Sequence, residues 1–168
     1  GGDNAEAYFS YDNKKLVFQS NYAAWNVSCD QIFIMDIEEA MSDTVNPKMV
    51  STGKGRTTCS YFMAGGDKFV YASTHLGADT CPPPAPHVPG KYLWPVYSHF
   101  DIFIADTSGS ITKQLTTEAG YDAEATISAQ GDKIVFTSDR SGDLELYTMD
   151  LDGSNVVQIT DQLGYDGG

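Results

Sequence analysis

The residue types best suited to chemistry in this chain are a cysteine, a histidine, an arginine and a glutamate. They are Cys59, His75, Arg56 and Glu124. A cysteine becomes a nucleophile when its pKa is lowered and a base such as histidine takes its proton. Glu124 could also act with Glu6 as a pair of carboxylates for acid–base work. One hypothesis is therefore a hydrolase or lyase whose site combines these residues with the segment 75–99.

A metal site is the second chemistry that the residue types allow. Its ligands would come from Cys59, Cys81, His75, His87 and His99. Their spacing matches no zinc signature such as paired Cys-x-x-Cys. The acidic loops 139–143 and 150–153 lack the ligand spacing of an EF-hand. We therefore expect no cofactor and no metal, and a bound cation is the alternative.

The elements that position these residues are visible in the segment 120–160, which contains four short β-rich runs. The runs are 123–128, 133–138, 144–151 and 156–160. Residues 152–155 (Asp-Gly-Ser-Asn) are typical of a tight hairpin turn, because Asp-Gly adopts a left-handed backbone at little steric cost. The sequence therefore predicts a four-stranded antiparallel meander.

Two earlier copies of this meander precede it in the chain. The second strand recurs at 15–20 and 68–73, and the third strand recurs at 32–36 and 102–106. The junctions between copies carry glycines at equivalent places: Gly2, Gly55, Gly120 and Gly164. The interval from Gly120 to Gly164 falls within the period of about 40 to 45 residues expected for a four-stranded propeller blade.

The repeats resemble the TolB-like, WD-type β-propeller family. The resemblance is carried by residues 120–122 (Gly-Tyr-Asp), 134–140 (Ile-Val-Phe-Thr-Ser-Asp-Arg) and 146–154 (Leu-Tyr-Thr-Met-Asp-Leu-Asp-Gly-Ser). At the first turn the family usually has Pro-Asp-Gly, and this chain has other turn-forming residues. The resemblance implies an all-β fold, a β-propeller of four-stranded antiparallel blades, with three blades in this chain. Most members of the family are scaffolds and binding modules, and some related propellers have catalytic or substrate-gating roles.

The blades are expected at about 2–52, 53–117 and 118–163, followed by the start of a further blade at 164–168. Propellers close with about four to eight blades. Three blades leave open sheet edges, which can pair with further sheets. We therefore interpret the chain as part of a longer propeller. Half of a two-chain ring and an edge-to-edge filament are the alternatives.

The largest insertion, 75–99, lies between the second and third strands of the second blade. Its prolines favour an extended path, and they precede the aromatic residues Tyr92, Trp94 and Tyr97. We expect these rings to pack back on a blade, and an aromatic wall for a ligand is the alternative. Long structured loops on rigid scaffolds often carry function.

Propeller geometry predicts which residues share the rim from which the chain enters each innermost strand. This top rim carries the loops before each first strand and between the second and third strands. The binding residues expected there are Asp3, Asn4, Arg56, Thr57, His75, Tyr121, Asp122 and Arg140. Glu6, Cys59 and Glu124 occupy equivalent places in the innermost strands. Glu6 and Glu124 complete the predicted binding set, and we expect them to be solvated in a central channel or paired with Arg56.

The three cysteines, Cys29, Cys59 and Cys81, all fall near the top rim. A disulfide requires Cα atoms within roughly 7 Å. Cys59 and Cys81 belong to one repeat and Cys29 to the adjacent one, so more than one pairing is open. We expect one disulfide, and the remaining thiol to be a small buried apolar group. A disulfide fits an oxidising compartment and therefore an extracytoplasmic location, which is periplasmic, cell-surface or secreted.

The overall charge limits the classes of partner. The net charge is −13 and the isoelectric point about 4.3. A nucleic-acid partner is excluded because it requires a basic footprint, and no apolar run is long enough for a membrane span. The sequence favours a non-catalytic propeller scaffold or binding module. Its top rim and central channel would bind a protein, peptide or glycan, or further copies of the chain.

Overall fold

The structure, a computed structural model, describes residues 1–40, 46–91, 93 and 95–167. Of Glu39 and Ala40 it describes the backbone alone. Within these residues the chain forms three antiparallel sheets of four strands each, so the predicted all-β propeller blades are confirmed. Tyr92 and Trp94 lie outside the described residues, so the packing predicted for their rings stays a prediction.

Each sheet is a meander whose strands pair in chain order. The first sheet contains β1 (Asn4–Phe9), β2 (Lys15–Ser20), β3 (Gln31–Asp36) and β4 (Lys48–Met49). The second contains β5 (Thr57–Phe62), β6 (Lys68–Ser73), β7 (Asp101–Asp106) and β8 (Ile111–Gln114). The third contains β9 (Asp122–Ile127), β10 (Lys133–Ser138), β11 (Glu145–Asp150) and β12 (Val157–Gln158).

Helical structure is confined to short connections in the first sheet. A 3-10 turn spans Ala23–Trp25, and α1 spans Ile37–Ala40. A helical turn is predicted from the sequence at 38–42, and its last two residues lie outside the described part. No helix among the described residues has the length and apolar character needed to cross a membrane.

Apolar side chains on alternate faces of the strands hold the three sheets against one another. In β6, Phe69 and Tyr71 belong to the cluster shared with the first sheet, and Val70 belongs to the cluster shared with the third. Successive side chains of a strand point to opposite faces of its sheet. The second sheet is therefore buried on both sides, which explains the continuous apolar run in β6.

Repeated side-chain hydrogen bonds fix the loops of the top rim. Asn21 Oδ1, Thr74 Oγ1 and Asp139 Oδ1 accept from the backbone N–H groups of Asp3, Arg56 and Tyr121, at 2.6, 2.9 and 2.8 Å. Each accepting residue follows a second strand, and each donor precedes a first strand. The chain thus uses the same bond in every blade to close the loop that leads into the first strand.

The first strand of each sheet contains a β-bulge at the same position. The bulged residues are Glu6, Cys59 and Glu124, with φ values of 51°, 44° and 59°. Such left-handed backbone costs a residue with a side chain about 1–3 kcal/mol. A bulge changes the direction in which its side chain points. The three residues that the repeat places in equivalent positions therefore share an unusual backbone conformation.

Candidate functional site

A pocket of about 170 Å³ opens on the top rim where the three sheets and the 75–99 insertion meet. We call it the rim pocket. It is lined by Gln19, Asp30, Arg56, Thr57, Thr58, Pro95, Tyr97, Phe100 and Tyr121. Three of these residues, Arg56, Thr57 and Tyr121, belong to the binding set predicted from the sequence.

The charged part of the rim pocket is an ion pair between Arg56 and Asp30. Arg56 Nη1 lies 3.0 Å from Asp30 Oδ2, and the two side chains are 29% and 11% exposed. Burial raises the pKa of Asp30, and the nearby guanidinium acts in the opposite direction. Of the two alternatives for Glu6 and Glu124, pairing with Arg56 is wrong, because the described ionic partner of Arg56 is Asp30, in the loop before β3.

Gln19 supplies the amide group of the rim pocket. Its Oε1 accepts hydrogen bonds from Thr58 Oγ1 at 3.1 Å and from the backbone N–H of Cys59 at 3.0 Å. These two bonds orient the side-chain amide. Among the described residues, none accepts a hydrogen bond from its Nε2, so that group remains a donor for a ligand.

The aromatic wall of the rim pocket comes from the end of the insertion and the start of the third sheet. Tyr97 packs against the small apolar cluster that contains Phe100 and Tyr121. The ring centroids of Tyr97 and Phe100 are 6.3 Å apart, and those of Phe100 and Tyr121 are 5.6 Å apart. The guanidinium carbon of Arg56 lies 5.8 Å from the centroid of Tyr97, within the range of a cation–π contact.

The insertion is attached to the first sheet by a disulfide between Cys29 and Cys81, whose Cα atoms are 5.9 Å apart. Cys59 is a free thiol. Within the insertion, the Tyr97 hydroxyl donates to the carbonyl of Pro83 at 2.8 Å. Covalent attachment near one end and ring packing at the other hold the insertion over the top rim, where it also forms a second pocket of about 380 Å³.

Two predicted binding residues, Asp122 and Arg140, are bound to each other. Arg140 Nη2 donates to both carboxylate oxygens of Asp122 at 2.9 Å, and its Nε donates to Ser138 Oγ at 2.9 Å. The guanidinium also lies over the rings of Phe136 and Tyr147. This arrangement is that of a structural ion pair between a partly exposed arginine and a buried carboxylate.

His75 occupies the place in the second sheet that Arg140 occupies in the third. Its Nδ1 lies 2.9 Å from Ser73 Oγ, and its ring centroid is 4.5 Å from that of Phe103. Burial, with a smaller effect from Lys54, lowers the pKa of His75. Asp3 and Asn4, the remaining predicted residues of the rim, are exposed at the start of the first sheet.

The bulged glutamates differ in their surroundings. Glu6 is exposed, and its Oε2 accepts from the Tyr8 hydroxyl at 3.0 Å. Glu124 is 3% exposed and accepts from Thr137 Oγ1 at 2.6 Å and from the Tyr165 hydroxyl at 3.0 Å. The expectation that Glu124 is solvated is therefore wrong, because three hydroxyl groups, including that of Tyr121, surround its carboxylate.

Cys59 has the electrostatic surroundings of an inert thiol. Burial raises its pKa to about 12, and Glu6 and Glu124 add to the shift. An attacking cysteine needs the opposite, a lowered pKa. Of the four residues proposed for catalysis, Cys59, His75, Arg56 and Glu124, the rim pocket is lined by Arg56 alone among the described residues.

The sequence reasoning missed Asp30, Gln19, Thr58 and Phe100. Asp30 lies in the loop between the second and third strands of the first sheet, and the repeat places that loop on the top rim, which is a signal that could have found it. Gln19 lies within β2, and no local signal distinguishes it. Across the described residues, no group of three or more His, Cys, Asp and Glu side chains is arranged to hold a metal ion.

Comparison with known proteins supports the class of fold. No protein-family model matches the chain. TolB of Agrobacterium tumefaciens superposes with a TM-score of 0.68 at 20% identity, over 96% of this chain and 48% of its own. TolB of Acinetobacter baumannii gives 0.62 at 17% identity, over 98% and 34%. A puromycin hydrolase gives 0.62 at 14% identity, over 100% and 24%.

These similarities define the chain as β-propeller blades. The fold is TolB-like, which agrees with the resemblance of the sequence repeats to the TolB-like family. At these identities the likeness concerns the fold alone. The chain spans about half or less of the length of the two TolB proteins.

Proposed function

We propose that this chain is a non-catalytic binding module whose rim pocket receives one residue of a protein, peptide or glycan partner. The observation that carries the proposal is the rim pocket itself. It combines an oriented ion pair, an amide whose Nε2 has no acceptor among the described residues, and an aromatic wall, all held on three packed sheets. Concave sites with a few oriented polar groups on an apolar wall are typical of ligand binding.

The alternative is an enzyme, a hydrolase or lyase, with a site around Arg56, Cys59, His75 and the insertion. Two hydrolytic enzymes share the fold, the puromycin hydrolase and a prolyl endopeptidase whose superposition has a TM-score of 0.57. In this chain, however, the raised pKa keeps the Cys59 thiol protonated at neutral pH. The described contacts of His75 are with Phe103 and with Ser73. Ser73 is fully buried, so its hydroxyl has no access to a substrate.

The disulfide and the outer sheets suggest the setting in which this module acts. The Cys29–Cys81 bond supports an extracytoplasmic location, because such bonds persist in oxidising compartments. The last strand of the third sheet and the segment that follows it expose Val157, Ile159 and Leu163. We propose that further blades, or another copy of the chain, pack against this apolar surface.

A binding screen with matched variants tests the proposed function. The chain is applied to arrays of peptides and of glycans, and hits are measured in solution by calorimetry. Tyr97→Ala removes part of the aromatic wall, and Tyr11→Ala removes an exposed tyrosine from the turn between β1 and β2 at the opposite rim. We expect Tyr97→Ala to weaken binding roughly tenfold or more and Tyr11→Ala to leave it unchanged. An array without hits, or equal binding by the two variants, overturns the proposal.

A further inference from the structure

We infer that the rim pocket binds one neutral sugar residue of a glycan. The inference rests on the proposed function, since it requires that the rim pocket be a binding site. Three properties of the pocket lead to it: its balanced charge, its mixture of hydrogen-bond donors and acceptors, and its aromatic wall.

The charge of the rim pocket disfavours ionic ligands of either sign. Asp30 and Arg56 lie 3.0 Å apart and neutralise each other. Because the two charges are already paired, neither is left to attract a ligand ion, and an added ion would meet one like charge for each opposite charge. The net charge of −13 further disfavours anions. A neutral ligand meets neither penalty.

The polar groups of the rim pocket match hydroxyl groups, which both donate and accept. Arg56 has five N–H donors, and its described ionic contact is with Asp30 alone. Gln19 Nε2 is a second donor, and the Asp30 carboxylate is an acceptor. Adjacent hydroxyls on a sugar ring can bond to all three. An aliphatic side chain would leave these groups without partners, at a cost of about 1–3 kcal/mol for each buried one.

The aromatic wall supplies the apolar contact that a sugar ring needs. One face of a pyranose consists mainly of C–H groups, and it packs against aromatic rings such as Tyr97 and Tyr121. The pocket volume, about 170 Å³, is well below the ~300–1,000 Å³ of sites for drug-sized ligands. This space suits one ring, with the rest of the glycan outside the open mouth.

The test uses saturation-transfer NMR and calorimetry with defined probes on the whole chain. The neutral probes are tetrasaccharides of glucose, mannose, galactose and xylose, and the anionic match is a tetramer of galacturonic acid. We expect at least one neutral probe to bind. We expect the galacturonic acid tetramer to bind roughly tenfold more weakly than the neutral probe, or not at all. Tyr97→Ala should weaken the neutral probe roughly tenfold, and Tyr11→Ala should not change it. Circular dichroism is used to check that both variants fold. The comparison of neutral and anionic probes uses the wild-type chain and does not depend on the variants.

The outcomes separate the sugar inference from the proposed function. Equal or tighter binding of the galacturonate overturns the neutral-sugar inference. So does a neutral probe whose binding is indifferent to Tyr97→Ala, because it then binds elsewhere. Peptide binding that depends on Tyr97, with no sugar bound, overturns the sugar while the binding function stands. If neither sugars nor peptides bind, both proposals fail.

Discussion

Asp139 lies directly against the backbone of Gly120. Its Oδ1 accepts a hydrogen bond from the N–H of Tyr121 at 2.8 Å, and a Cβ on residue 120 would overlap that same oxygen. Gly120 also has a φ of 134°, which residues with a side chain rarely adopt. The junction glycine of the third blade is thus required by its backbone conformation and by the side chain that closes the top loop.

A comparison of two junction glycines tests this requirement. Gly164 has a similar φ of 137°, but nothing lies within 4 Å of a Cβ built on it. We expect Gly120→Ala to lower the free energy of unfolding by about 1–3 kcal/mol more than Gly164→Ala, because it adds a steric overlap to the same backbone strain. Urea unfolding measures both. Equal losses would show that Asp139 moves aside without cost.

The ion pair of Arg140 with the buried Asp122 should be important for stability. Asp122 is 1% exposed, so Arg140→Ala leaves a buried carboxylate without its partner. We expect this variant to lose about 3 kcal/mol. The matched control is Lys54→Ala, which breaks the exposed pair with Asp79 and should cost less than about 1 kcal/mol. Thermal and urea unfolding that give similar losses for both variants would contradict the structural role of Arg140.

The thiol of Cys59 should react slowly in the folded chain. Its raised pKa, about 12 against an ordinary value of 9.0, lowers the thiolate fraction at neutral pH by roughly a thousandfold. We therefore expect iodoacetamide to label Cys59 far more slowly in the native chain than in urea. The labelling rate should continue to rise with pH beyond about 9, since the thiolate is not yet fully formed. Rapid labelling near neutral pH, with a plateau, would restore the nucleophile hypothesis.

The Cys29–Cys81 disulfide should stabilise the chain and the position of the insertion. The two cysteines are separated by 52 positions, and cross-links that close such loops contribute about 2–4 kcal/mol. Replacing both cysteines with alanine should lower the unfolding free energy by this amount. Hydrogen exchange should also become faster at the hydrogen-bonded N–H groups of Gly77, Ala78 and Lys91 in the insertion. Cys59→Ala provides the control, and unchanged exchange in the insertion would contradict its attachment through this bond.

Strand positions follow closely from the sequence where local signals are strong. The predicted run 133–138 coincides with β10, because three consecutive apolar residues, Ile134, Val135 and Phe136, lie between two clear turns. The predicted fourth strand, 156–160, is longer than β12 (Val157–Gln158). It lies at the sheet edge, where only two register pairs to β11 form. Periodicity marks a strand but not where its hydrogen bonding ends.

The rim pocket is less accessible to sequence reasoning, because its contacts join different blades. Arg56 and Tyr121 could be assigned to the top rim from their place in the repeat. The choice of Asp30 over a glutamate as partner of Arg56 depends on how the first two sheets pack, which no local pattern encodes. Likewise, Glu124 becomes buried because Thr137 and Tyr165 lie over it.

The three bulges have a consequence for how this chain can vary. Glu6, Cys59 and Glu124 share a left-handed backbone in the first strands of the sheets, and these strands contact one another where the sheets meet. Since the bulge lies outside the regular ladder, the residue type there can differ from blade to blade while strand pairing is preserved. Each bulge thus sets the chemistry of its own surroundings, exposed at Glu6 and buried at Glu124, without changing the ladder of hydrogen bonds that holds the blade together.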